Sequence, residues 1–139
     1  MSDATIALLP IHPKYANAIL DGIKKVEFRK RLFKRDVNKI LIYASHPIMS
    51  LVGYFDVDMI TETTPNQAWI KYGTQGCIDK EAYAVYYSGA DKAVAIGIKK
   101  AVKFDKPVKL STIDSNITPP QSYRYIYPDQ FAKILKNAR

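Results

Sequence analysis

The stretch "DGIKKVEFRKR", Asp21 to Arg31, sets one glutamate among five cationic side chains directly after a glycine. Its second half alternates as a strand does. Val26 and Phe28 point to one face, and Lys25, Glu27, Arg29 and Arg31 to the other. If the apolar pair faces the core, the charged pair faces outward into whatever cleft lies there. Lys24 precedes the regular alternation, so the period does not set its direction.

The neighbouring segments extend the pattern. Upstream, "HPKYANAILDG" reads as a short helix with Pro13 in its first turn. Tyr15, Ala18, Ile19 and Leu20 give it an apolar stripe, and Gly22 gives it an end. Downstream, "NKILIYAS" is a strand of nearly continuous apolar character that stops at "HP". "SLVGYFDVDMITE" is a further strand, with Gly53 marking a bulge or a close approach. "TPNQAWIKYG" and "DKEAYAVYYSG" are helices capped by Thr64 and Asp79. "KAVAIGIKKAVKF" is a long strand. "KPVKLSTI" and "PPQSYRYI" are extended, and "PDQFAKILKNAR" is a closing helix opened by Pro128. Short strands with little β-α-β repetition predict an α+β protein with a curled sheet or small barrel.

The 139 residues fit one domain, 1–139, without internal repeat or linker. No apolar run has the length needed to cross a bilayer. "MSDATIALLPIHPKY" has no basic start, and prolines cut its apolar run, which argues against a signal peptide. One cysteine, Cys77, permits no internal disulfide, and His12 and His46 alone do not make a metal site, so no metal or cofactor is expected. Cytoplasm is the expected compartment.

A net charge of +8 favours nucleic acid or another phosphate-bearing partner, and no membrane partner is expected. The excess is uneven. Between Gly22 and Lys39 there are eight cationic residues against Glu27 and Asp36. A solvated basic face accounts for such a cluster as well as a binding surface does, and its concentration in one segment favours the surface.

In this setting "GIKKVEFRKR" resembles the Gly-x-Lys-x-x-Glu-x-Arg signature of the ASCH domain, a member of the PUA-like superfamily, through Gly22, Lys24, Glu27 and Arg29. "IHPKYANAIL" is similar to that family's first helix. "ILIYASHP", with Ser45 and Pro47, is similar to its next strand, "LVGYFDV" to the one after, and "PPQSYRYI" to its C-terminal element. The resemblance implies a PUA-like β-barrel of about five or six strands flanked by helices, a cleft lined by the motif, and RNA or another nucleic acid or nucleotide as ligand.

The candidate contacts are Lys24, Glu27, Arg29, Arg31, Ser45, His46 and Tyr86. Glu27 would hold Arg29 in a fixed fork for a phosphate or base edge, or accept from a base amino group. Ser45 and His46 follow a strand at the rim. Tyr83 and Tyr87 share a helix face of the kind usually buried, leaving Tyr86 for stacking. Tyr123, Tyr125 and Tyr127 share one face of an extended segment, mostly as core. Lys99 to Lys109 form a second basic stretch, read as an exposed strand end.

The alternative is a metal-independent, RNA-directed hydrolase with Lys24 and Glu27 as catalytic groups, either a ribonuclease or an enzyme like a nucleoside amidohydrolase. One bacterial branch of the family resembles an acetylcytidine amidohydrolase. Glu27 stands where that branch has threonine, and a carboxylate is a poor replacement for a hydroxyl nucleophile.

Overall fold

In a computed structural model the protein is described over residues 5–139. Residues 1–4, the start of the stretch that argues against a signal peptide, lie outside the described part.

The strands are β1 (Ile6–Ile11), β2 (Val26–Arg29), β3 (Lys39–Ala44), β4 (Ser50–Thr63), β5 (Ala93–Val108) and β6 (Arg124–Ile126). The helices are α1 (Pro13–Leu20), α2 (Pro65–Tyr72), α3 (Lys80–Tyr86) and α4 (Pro128–Asn137). The strands form one sheet in the order β2-β5-β4-β3-β1-β6. The β1–β3 pair is parallel and the other pairs are antiparallel.

The expected α+β class is present, but the sheet is not closed into a barrel. No ladder joins β2 to β6 at the two ends of the order. The Arg29 guanidinium on β2 nevertheless donates to the Pro10 carbonyl on β1 at 3.0 Å and to the Ser122 carbonyl before β6 at 3.1 Å. Strands far apart in the order come that close only if the sheet has curled almost full circle. Register shifts along β4 and β5 supply the bend, as bulges do. One of them falls at Gly53. A Cβ there would lie 2.4 Å from the Val102 carbonyl and 2.6 Å from the Leu20 side chain, so only glycine fits.

The strand β1 has no counterpart in the periodicity reading, because Pro10 interrupts its apolar run. Pro10 lies beyond the end of the β6 ladder, which stops at Leu8 opposite Arg124. A missing N–H there costs no bond to that neighbour.

The helix ends follow the sequence closely. The Thr64 hydroxyl accepts from the Gln67 amide at 3.2 Å, and the Asp79 carboxylate accepts from the Ala82 amide at 2.7 Å. His12 caps α1 by accepting from the Lys14 amide at 3.1 Å. Tyr123 and Tyr125 pack against the main core, whereas Tyr127 leaves their face at the end of β6 and is exposed.

Period-two alternation separates the faces of β2 correctly and their assignment is reversed. Glu27 pairs with Ile96, and Arg29 with Val94. Val94 and Ile96 belong to the main core with Leu9, Ala16, Ile19 and Ile42. The charged pair therefore shares the face of the main core. Val26 and Phe28 pack on the opposite face with Ala68, Tyr83 and Tyr87 beneath α2 and α3. Both faces of β2 are covered, so an apolar side chain does not identify the inner one.

Candidate functional site

The unclosed seam beside β2 leaves a cavity of about 250 Å³. Lys24, Glu27, Phe28 and Arg29 come to it from β2 and the turn before it. Ile11, His12 and Tyr15 enter from the end of β1 and the start of α1, while Ile78, Ala82 and Tyr86 line the α3 side. The motif residues thus converge because β2 is an edge strand whose missing neighbour is replaced by two helices.

Lys24 is only 2% exposed. Its ammonium donates to the Gly76 carbonyl and lies 3.5 Å from Glu27 Oε1. It also sits 5.1 Å from the Tyr15 ring centre and 5.7 Å from that of Phe28, within cation–π range. Burial pulls its pKa below the ordinary lysine value, and the Glu27 carboxylate opposes that shift. Gly76 permits this arrangement: a Cβ at that residue would fall 2.3 Å from the Phe28 ring.

Glu27 is 6% exposed, and its Oε2 lies 3.4 Å from the Arg29 guanidinium. One carboxylate is thus shared by two cations. The carbonyls of Gly76, Pro10 and Ser122 accept further hydrogen bonds from the two cations. Such a row is held together by mutual satisfaction: removing one partner from a buried ion pair costs about 3–5 kcal/mol.

The Arg29 guanidinium has the Glu27 carboxylate beside it. It grips main-chain carbonyls across the seam, which makes Arg29 a fastener of the fold as well as a wall of the cavity.

Tyr86 is half-buried, while Tyr83 and Tyr87 are buried as their helical spacing predicts. Beyond Tyr86 lies a second hollow of about 250 Å³, lined by Arg29, Lys30, Arg31, Gln121 and Ser122 in addition to Tyr86. Lys30 Nζ stands 4.8 Å from the Tyr86 ring centre. Arg31 is exposed at this hollow and lies outside the first cavity.

Ser45 and His46 line neither hollow. Ser45 follows β3, and its amide donates to the Ile11 carbonyl at 3.0 Å, while His46 is exposed in the next turn. Lys99, Lys100, Lys103, Lys106 and Lys109 are exposed along and just after β5 and line neither hollow.

Sequence reasoning missed Ile11, His12, Tyr15, Phe28, Ile78 and Ala82 as cavity residues. Tyr15 reads as part of the α1 stripe and Phe28 as core, and both descriptions hold in part. The end of a strand running into a helix was the available signal at His12 and Tyr15, but the strand was not assigned.

The curled α+β sheet, with a small chamber in its seam floored by buried charges and walled by aromatics, is a PUA-like fold. The chain belongs to the ASCH domain family, whose model, described as "ASCH domain", matches residues 9–102. It is 29% identical over 139 residues to the "ASCH domain-containing ribonuclease" of Zymomonas mobilis, covering 96% of this chain and 92% of that protein. The crystal structure of ASCH from Zymomonas mobilis superposes with a TM-score of 0.89 at 29% identity, covering 96% of each chain. The N-terminal domain of Staphylothermus marinus McrB shares the fold at a TM-score of 0.61 and 15% identity, covering 97% of this chain and 95% of that one. Among the described residues no helix is long and apolar enough to cross a membrane.

Proposed function

We propose that this protein binds RNA by taking one nucleotide of a single strand into the seam cavity. The observation that carries this reading is the buried Lys24–Glu27–Arg29 row at an aromatic-walled chamber, with a cationic shelf continuing past Tyr86. About 250 Å³ is below the roughly 300–1,000 Å³ of pockets for drug-sized ligands, which suits a single base or nucleoside. Tyr15 and Tyr86 offer stacking faces, Glu27 and Lys24 offer an acceptor and a donor, and Lys30 and Arg31 meet the flanking phosphates. Residues 1–139 act as one domain in this reading, supported by a single sheet that takes strands from both halves of the chain.

Equilibrium binding of a short labelled single-stranded RNA across a salt series tests it. Affinity should fall steeply with salt and drop about tenfold or more in Tyr86→Ala, where a stacking face is lost. No retention at low salt rejects it.

The name of the Zymomonas relative favours a second reading, in which the bound RNA is also cut. The 2′-oxygen attacks the adjacent phosphorus and the P–O5′ bond breaks. Glu27 takes the 2′ proton, and the Lys24 ammonium gives a proton to the departing O5′, leaving a 2′,3′-cyclic phosphate and a 5′-hydroxyl. The lowered pKa of Lys24 suits it to donate. Incubation of end-labelled RNA with and without chelator should yield those termini. No product from wild type, or unchanged turnover in Glu27→Gln, rejects these assignments.

A further inference from the structure

The shape of the cavity floor bears on which base it accepts. Each Glu27 oxygen has one cationic neighbour, Oε1 facing Lys24 at 3.5 Å and Oε2 facing Arg29 at 3.4 Å. Both contacts are long for charge-assisted hydrogen bonds, which run about 2.7–2.9 Å. A carboxylate has about four acceptor sites, so two remain for a guest. Glu27 itself lines the cavity. Lys24 has three donors. One is committed to Gly76 and one faces Glu27, which leaves one beside the carboxylate.

The floor therefore offers two adjacent acceptors followed by a donor. The geometry points to guanine as the base this cavity selects. Guanine alone among the four RNA bases presents two adjacent donors, N1–H and N2–H, on its Watson–Crick edge, with the O6 acceptor next in line. The two donors meet the two Glu27 oxygens, and O6 meets the Lys24 ammonium. Adenine and cytosine offer one exocyclic donor beside a ring acceptor, which would face a carboxylate oxygen. Uracil sets its one N–H between two carbonyls, with the same repulsion. A site that hydrogen-bonds its ligand rejects analogues lacking the matching group, because its own buried groups are left unpaired.

This inference rests on the proposed RNA-binding reading and not on cleavage, because a carboxylate engaged by a base edge is not free to take the 2′ proton. The test uses wild-type protein and oligouridine carrying one central guanosine, inosine, adenosine or cytidine, with fluorescence anisotropy at fixed low salt. Guanosine should bind at least about tenfold more tightly than adenosine or cytidine, the size expected for a lost hydrogen bond to a charged group. Inosine, which keeps N1–H and O6 but lacks the amino group, should fall between them. Glu27→Gln should level the series, while Lys30→Ala should weaken every member equally and leave the order intact. The wild-type series decides even if Glu27→Gln does not fold. Equal binding of all four oligonucleotides overturns guanine selection and leaves RNA binding standing. Absence of binding to any of them overturns both.

Discussion

Lys24 and Lys30 belong to one basic stretch of the chain and are held by different physics. Lys24 is buried against Tyr15, Phe28, Glu27 and the Gly76 carbonyl, where each partner offsets the cost of removing an ammonium from water. Lys30 is exposed, with Tyr86 beneath it and no acidic partner within salt-bridge distance among the described residues. The loop that follows it is pinned from below. Phe33 packs edge-on to Tyr123, and the Tyr125 hydroxyl accepts from the Lys34 and Arg35 amides at 3.0 Å. Charge in the seam is structural and directional. Charge on the shelf is exposed to solvent. Truncating the first should therefore be read in stability, and truncating the second in salt dependence.

The sharpest way to break this contrast is Glu27→Ala. It leaves Lys24 and Arg29 without their shared carboxylate, and the expected loss is about 3–5 kcal/mol in the urea unfolding free energy. A loss under about 1 kcal/mol, the range of exposed pairs, would place this row with the surface charges.

Arg29→Lys comes next. Its charge is kept, but an ammonium does not reproduce the planar fork that reaches both β1 and the segment before β6. With the Pro10 and Ser122 carbonyls deprived of donors, stability should fall by about 1–3 kcal/mol. The salt slope of RNA binding, measured on the folded variant, should not change. A drop in slope of about one in Arg29→Ala would mean that Arg29 is a phosphate contact instead.

Tyr87→Phe probes the same strand from behind. The Tyr87 hydroxyl donates to the Arg29 carbonyl at 2.7 Å, and its loss should cost about 1 kcal/mol at neutral pH. Burial, helped by the neighbouring Tyr86, raises the Tyr87 pKa far above the usual 10.0. The folded state thus favours the neutral phenol. That stability is fully present below pH 10.0 and is lost as pH rises beyond it. Thermal unfolding from pH 8 to 11.5 should show wild type declining above pH 10 and Tyr87→Phe declining less. Parallel curves would contradict the assignment.

The smallest effects on the fold belong to the shelf. Lys30→Ala and Arg31→Ala should leave the unfolding midpoint unchanged and each lower the salt slope of RNA binding by about one. Unchanged slopes would remove the shelf from the RNA path.

The motif spacing, the Thr64 and Asp79 caps, and the division of Tyr83 and Tyr87 from Tyr86 were legible because they depend on contacts within a few residues. The period of two likewise separated Glu27 and Arg29 from Val26 and Phe28. It did not say which pair faced the main core. Strand alternation is local, whereas the choice of face depends on which elements later cover each side, and here both sides are covered. For the same reason Ser45 and His46 were legible as a strand end but not as a position outside the hollows, since only the curl of the sheet decides which rim meets the seam.

By itself, then, the sequence determined the order of the elements after β1, the Thr64 and Asp79 caps, the basic surplus and the family. Tertiary structure decided that β1 joins the sheet despite Pro10, that the curl stops short of closure, and that Arg29 spans the gap to main-chain carbonyls. The physical reason is range. Propensity, capping and alternation act along the chain, but the closing contacts of Arg29 join residues 19 and 93 positions away. No local pattern encodes them.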